Sequence, residues 1–319
     1  MHKIIVLDHP RENPGELDWS CLNTLGEFIM HDQTSTEEMA ERIGDADIVM
    51  LNKSVLTAGI MSQCPNLKFV SVIASGYNTV DLKAASELGI KVANVPNYGT
   101  GAISQHAIAL LLALTNRVTH HDTEVRKGRK NSNSDWCFWD YPIIELEHKN
   151  AGIIGLGRIG YATAKILAAF GMNILAYDTT HTANWENEHC RYVDLDTLYS
   201  DSDVIFLHCP VYPENTHMIC KSSIEKMRDG VIIINNSRGA LIVDEDLAEA
   251  LESGKVGAAG LDTVEHEPIA LDNPLLSAKN CIITPHISWA ALDCRKRLQK
   301  TAIDNVKAFI EGSPINLVN

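Results

Sequence analysis

The chain has 319 residues, longer than a single hydrophobic core usually grows, so two domains are expected; with 45% apolar and 21% charged residues it is neither disordered nor fibrous in composition. A formal charge of −14 argues against a nucleic-acid partner or an anionic membrane surface, which need lysine and arginine clustered in excess, and leaves open a small anion held by a few local cations. Eight scattered cysteines without a CxxC pair or zinc spacing read as reduced thiols, no metal site is expected, and no apolar run reaches the roughly 18 residues of a membrane span, so a soluble cytoplasmic protein is expected.

In chain order, short runs rich in Val and Ile alternate with helical patterns, the signature of βαβ units in parallel sheets covered on both faces. The first set is KIIVLD (3–8), DIVML (47–51), FVSVIA (69–74) and KVANVP (91–96). Between the first two of these lies STEEMAERIG, where Ser35 and Glu38 have capping-box spacing. An apolar helix near 100–118 follows, and then GRKNSNSDWCFWDYP (128–142), an aperiodic stretch of the kind that forms an arm or lid. A second set begins with AGIIG at 151 and continues through NILAYD (173–178), DVIFLHC (203–209), GVIIINNS (230–237), VGAAGLD (256–262) and CIITPH (281–286). Helical spacing returns from about 289 to 311. The expected fold is α/β with two doubly wound parallel-sheet domains.

GIIGLGRIG (152–160) follows a strand and opens a helix. In a dinucleotide motif Gly155 permits the tight turn, Gly157 lets backbone approach a pyrophosphate, and Gly160 lets helix pack close to strand. A strand-turn-helix that needs small residues only for packing is the plainer alternative. Asp178 lies about 20 residues on, at the end of the next strand, where a carboxylate accepts hydrogen bonds from ribose hydroxyls. It would repel a 2′-phosphate, and Thr179 and Thr180 supply no arginine to bind one, so NAD is favoured and NADP disfavoured.

Hydride transfer also requires a proton donor for the substrate oxygen and a cation for a substrate carboxylate. Arg238 in NNSRGALIVDED, Glu267 in GLDTVEHEP and His286 in ITPHISWA stand at or just past strand ends, where open α/β sheets bind ligands. Taken singly, each also reads as a surface arginine, a solvated loop acid and a strand-end histidine. A carboxylate beside His286 would fix its tautomer and leave it able to protonate an alkoxide. Asn52 and Lys53 follow a first-set strand and suit a polar substrate, with a solvated loop as the alternative. The glycine in SGYN, Gly76 after Ser75, permits a turn whose amides form an anion nest.

These segments, together with SGYNTVDLKAASELGIKVANVP, GTGAISQHAIALLLAL and HCPVYPENTHMI, resemble the D-isomer-specific 2-hydroxyacid dehydrogenases along the whole chain. CFWDYPIIEL and PINLVN look most like the glycerate dehydrogenase or hydroxypyruvate reductase subgroup. The resemblance implies a flavodoxin-like substrate domain (1–98 and 288–319) and a Rossmann NAD-binding domain (99–287). It makes Arg238 the residue that binds substrate carboxylate and carbonyl, His286 the acid/base and Glu267 its partner, with backbone N–H groups around Ser75 and Gly76 on the carboxylate. For the cofactor it implies Arg158 and Ile159 in the glycine loop, His208, Pro210 and Thr216 after a later strand, Asn236 and Ser237 before Arg238, and Thr100 and Asp262 near the nicotinamide. Thr263 and His266 stand where family members often carry Val and Pro.

The implied reaction is NADH-dependent reduction of a small anionic 2-oxo acid, hydroxypyruvate or glyoxylate, to the D-2-hydroxy acid. The implied assembly is a homodimer in which Trp136, Phe138 and Trp139 pack across the interface. A nucleotide-binding corepressor of the same fold, a D-lactate dehydrogenase and a formate-type dehydrogenase are the competing readings. The last of these places Gln where Glu267 stands.

Overall fold

A computed structural model describes residues 1–8, 17–129, 137–182, 185–186 and 189–319. The chain divides into two compact units, Met1–Gly99 with Ala291–Asn319, and Thr100–Ala290.

The first unit holds β1 (His2–Val6), β2 (Gly26–Met30), β3 (Ile48–Leu51), β4 (Phe69–Val72) and β5 (Lys91–Ala93). All pair in parallel, in the order β2-β1-β3-β4-β5, the flavodoxin-like arrangement. Its helices are α1 (Met39–Ile43), α2 (Ala58–Met61) and α3 (Leu82–Glu87). Side chains alternate across the pleat, so Ile5, Val49, Leu51, Val70 and Val72 meet Met39, Ile43, Ile60 and Ala85 on one face. The long helix at 292–310 serves the other face, where Phe309 stacks on Phe69 at 4.5 Å. The carboxyl-terminal segment then returns to β5, with Leu317 bridged to Ala93 and the Val318 N–H bonded to the Val92 carbonyl at 2.9 Å.

The second unit opens with α4 (Thr100–Asn116) and α5 (Val118–Arg126). It continues through β6 (Asn150–Ile154), α6 (Arg158–Ala169), β7 (Asn173–Tyr177), β8 (Cys190–Tyr192), α7 (Leu195–Asp201), β9 (Val204–Leu207), α8 (Lys221–Lys226), β10 (Val231–Asn235), α9 (Asp244–Ser253), β11 (Val256–Leu261) and β12 (Cys281–Ile283). The helix at 292–310 of the first unit is α10. The parallel order β12-β11-β10-β9-β6-β7-β8 is the doubly wound dinucleotide-binding pattern extended by one strand. Period-2 alternation sorts the core: Ile205, Leu207, Ile233 and Leu261 pack under α7, α8 and α9, while Val204, Phe206, Ile232 and Ile234 face α4 and α6.

Two strands escape the sequence patterns. β2 and β8 are both edge strands, and the half-exposed GEFIM and the three-residue CRY carry too little apolar signal to stand out. The Ser35–Glu38 capping box is made: the Glu38 N–H donates to Ser35 Oγ at 3.3 Å and the Ser35 N–H to Glu38 Oε2 at 3.2 Å. The stretch expected to be aperiodic is preceded by α5, a helix with no buried residue and hence no apolar stripe to betray it.

Candidate active site

The glycine turn joins β6 to α6. Gly155 has φ +95°, and a Cβ there would meet the Cys209 nitrogen at 2.5 Å, so the turn lies flat against the end of β9. A Cβ on Gly160 would stand 2.1 Å from the Gly155 carbonyl oxygen, which is the close approach of helix to strand. A Cβ on Gly157 would meet nothing within 4 Å. Gly157 caps α6 with no side-chain hydrogen bond, so the first-turn N–H groups at Arg158, Ile159 and Gly160 face that open side, a ready anion site.

Around this turn the strand ends are tied side by side. The His208 N–H bonds the Ile154 carbonyl at 2.8 Å, and Ser237 Oγ donates to the Cys209 carbonyl at 2.5 Å. His208 Nε2 is shielded from solvent and unpartnered, and burial pushes the imidazole down to about 4, so it is a neutral ring with one unsatisfied nitrogen beside the turn. An open N-terminus, space over Gly157 and this orphaned nitrogen together fit a polyphosphate-bearing dinucleotide. Asp178 stands at the end of β7, accepts from the Thr180 N–H at 3.0 Å, and lines an open cleft with Tyr177, His181 and Arg191. Arg191 belongs to the edge strand β8 and was not legible as a neighbour of Asp178.

Arg238, Glu267 and His286 follow β10, β11 and β12, three consecutive neighbours in the sheet. His286 Nδ1 and Glu267 Oε2 are 2.7 Å apart. A carboxylate only accepts, so Nδ1 donates and Nε2 is left to exchange a proton with whatever binds. The two side chains are 42% and 38% exposed, accessible to a ligand. The Arg238 guanidinium donates to the Ser237 carbonyl at 2.8 Å and, among the described residues, forms no ion pair. It keeps most of its donors for an anion.

His286 has φ +56°, an uncommon conformation for a residue with a side chain, and such a conformation persists only where the surroundings over-determine it. Asp262, with no side-chain exposure, supplies that determination. Its Oδ1 accepts from Thr284 Oγ1 at 2.5 Å and the Ile287 N–H at 2.9 Å; its Oδ2 accepts from the Ser288 N–H at 2.8 Å and Ser288 Oγ at 2.5 Å. His106 Nε2 completes the cluster, 3.1 Å from Thr284 Oγ1, and Trp289 Nε1 donates to the His286 carbonyl at 2.9 Å. The Asp262 carboxylate thus faces the loop that carries His286 and holds it on both sides. Sequence reasoning missed this bracing, although Thr284 and Ser288 flank His286 on either side at i ± 2.

The remaining expected residues are dispersed. Thr100 opens α4. Asn236 Nδ2 bonds the Ile103 carbonyl at 2.9 Å. Thr216 Oγ1 is taken by the Tyr212 carbonyl at 2.9 Å, within the turn that starts just after Pro210. In the first unit, Asn52 and Lys53 follow β3, and their N–H groups bond the Asp8 carboxylate at 2.6 and 2.5 Å. The Ser75 carbonyl, just beyond β4 and next to Gly76, accepts from Asn94 Nδ2 at 2.7 Å. Trp136 lies outside the described residues.

An open glycine turn, with a hydrogen-bonded histidine–glutamate pair and a guanidinium without an acidic partner among the described residues on the neighbouring strand ends, suits an oxidoreductase that works with a bound dinucleotide. Residues 108–288 match the D-isomer specific 2-hydroxyacid dehydrogenase, NAD binding domain. The chain is 58% identical to a hydroxypyruvate reductase of Blautia hydrogenotrophica over 99% of each chain, and 37% identical to a glycerate dehydrogenase of Methylorubrum extorquens over 92% of each. Among solved structures it is similar to the D-lactate dehydrogenase from Aquifex aeolicus complexed with NAD and lactic acid, with a TM-score of 0.87 at 28% identity, covering 99% of this chain and 98% of that one. The chain belongs to the D-isomer specific 2-hydroxyacid dehydrogenase family. It is an NAD-binding oxidoreductase that acts on the CH–OH group of small 2-hydroxy acids. No described helix is long and apolar enough to cross a membrane.

Proposed function

We propose that the chain reduces hydroxypyruvate, and glyoxylate less well, to the D-2-hydroxy acid with NADH. The observation that carries this reading is the His286–Glu267 contact at 2.7 Å on the strand next to Arg238, whose guanidinium has no acidic partner among the described residues. NADH, when bound along the 155–160 turn, supplies the hydride that ends on C2. His286 gives the Nε2 proton to the C2 oxygen, so that C=O becomes CH–OH, while Glu267 holds the tautomer and stabilises the imidazolium that precedes transfer. Arg238 clamps the substrate carboxylate and offsets the charge growing on the ketone oxygen, which fixes the face presented to hydride. The Asp178 carboxylate opposes a 2′-phosphate and Arg191 in the same cleft attracts one, so the proposed preference for NADH over NADPH rests on the carboxylate's contacts to the ribose hydroxyls.

NADH absorbance followed against hydroxypyruvate, glyoxylate, pyruvate and phenylpyruvate tests the reading. Hydroxypyruvate should give the highest kcat/KM. Turnover led by pyruvate would move the assignment to lactate chemistry, and no oxidation with any acid would leave a binding module of corepressor type.

We further propose a homodimer. No residue of α5 is fully buried, and Val118 at its start and Trp139 and Ile143 in the segment after it are 68%, 67% and 56% exposed, apolar surface of the kind that marks an interface. Light scattering behind size exclusion should return twice the chain mass; a monomer at micromolar concentration would refute the assembly without touching the chemistry.

A further inference from the structure

The segment that carries Glu267 bears a second acid two residues earlier, and that acid has a histidine of its own. Glu265 Oε1 lies 2.5 Å from Nε2 of His217, on the connection between β9 and α8. His217 is in turn knitted into the chain just beyond Arg238. Its N–H bonds the Ala240 carbonyl at 2.8 Å, the Ile219 N–H bonds the Leu241 carbonyl at 2.9 Å, and the Val243 N–H returns to the Ile219 carbonyl at 2.9 Å. Like His286, His217 holds a positive φ, +57°, at the moderate cost that such a backbone carries for a residue with a Cβ.

A third contact closes the arrangement. A Cβ on Gly239 would lie 1.8 Å from the Val264 carbonyl oxygen and 2.6 Å from the Glu265 nitrogen, so the Glu265 segment lies flat on the residue that follows Arg238. The buried Asp244 carboxylate lies beside the Glu265 backbone and accepts from Asn273 Nδ2 at 2.8 Å. Arg238 precedes Gly239 by one residue, and Glu267 follows Glu265 by two. The spacing of the guanidinium from the His286–Glu267 dyad is therefore set where these two segments touch, and His217 reaches across to hold one against the other.

We propose that His217 and Glu265 are a positioning pair: they touch neither substrate nor cofactor, and they fix how far Arg238 stands from the Glu267–His286 dyad. The proposal rests on the reductase reading above. The chemistry explains why a contact outside the reacting groups matters: the substrate is held at its carboxylate end by one segment and protonated at its ketone from another, and a misplacement of about 1 Å between such groups costs on the order of 100-fold in rate.

The test compares His217→Ala and Glu265→Ala with the unaltered enzyme on hydroxypyruvate and NADH. Each should lower kcat/KM about 10- to 100-fold, with NADH affinity, read by fluorescence quenching, unchanged within about twofold. The double variant should be little worse than either single one, because both remove the same contact. His217→Gln, whose amide nitrogen can still donate to Glu265, should recover most of the loss. If His217→Ala fails to fold, His217→Asn, too short to reach Glu265, carries the same test. Single variants within about twofold of the unaltered enzyme would overturn the proposal. So would losses of turnover and of NADH binding that fall together with the melting temperature, the mark of a brace for the fold alone. Lack of activity in the unaltered enzyme would instead overturn the reductase reading.

Discussion

The turn at 155–160 and the strand ends at 238, 262–268 and 284–288 lie along the same edge of one sheet and work by opposite means. At the turn, what matters is the absence of side chains: Gly155 and Gly160 would collide with backbone at 2.5 and 2.1 Å if they carried a Cβ, whereas Gly157 would meet nothing within 4 Å. At the strand ends, backbone is held in place by side chains, with the Asp262 carboxylate spending both oxygens on the loop around His286. The turn needs a fixed spacing of one residue type. The strand ends need acids, a histidine and an arginine delivered to neighbouring positions by strand order. One region therefore tolerates no Cβ at Gly155 or Gly160, and the other almost no lost hydrogen bond.

The sharpest way to separate the two is to remove the His286 imidazole, the proposed acid/base, alone. His286→Ala should lower kcat about 1,000-fold or more, near the upper part of what general acid/base catalysis supplies, while NADH affinity stays within about threefold. Equal losses of NADH affinity and turnover would mean that the strand ends and the turn are not independent. The next largest contrast lies within the turn. Gly160→Val must push α6 off β6 and should lower both NADH affinity and the melting temperature. Gly157→Ala should leave the melting temperature within a degree or two and still weaken NADH about 10-fold or more, because its methyl group enters the space where backbone would approach phosphate. If Gly157→Ala binds NADH normally, the dinucleotide does not lie over that residue.

Asp262→Asn tests the other side of the comparison at smaller scale. The amide keeps the size of the carboxylate but turns a donor toward the Ile287 or Ser288 N–H, leaving a buried donor unpaired at about 1–3 kcal/mol. Urea denaturation should show a loss in that range, and kcat should fall further than NADH affinity because the loop at risk carries His286. Unchanged kcat with lowered stability would show that the positive φ of His286 survives without this bracing.

Legibility from the sequence follows the same division. The glycine turn could be read because its constraint is local, three glycines between a strand and a helix, with Asp178 one strand further on. Arg238, Glu267 and His286 could be read as residue types at strand ends, and the chain-wide resemblance joined them. What could not be read is what holds them: only the folded register of β11 against β12 turns the Asp262 carboxylate toward Thr284, Ile287 and Ser288. His217 meeting Glu265 is equally silent in the sequence, since the contact spans two strand connections with no periodic relation. The missed strands β2 and β8 belong to the same lesson, as edge strands are recognised by the partner they pair with more than by their own short patterns.

The smallest expected effect concerns His208, whose buried Nε2 beside the turn has no hydrogen-bond partner. Its imidazole is held down to about 4 by burial, against about 6.5 in an unfolded chain. The folded state therefore binds the proton less readily than the unfolded one. Stability from this residue is complete above about pH 6.5 and is lost progressively as pH falls toward 4. Near neutrality the loss is slight: between pH 7 and 6 it amounts to about 0.7 kcal/mol. His208→Gln should remove that increment from the pH dependence of urea unfolding, and the difference between the two proteins should widen toward pH 5. If their pH profiles run parallel, the imidazole is not buried as a neutral ring, and its nitrogen is not held ready for a cofactor.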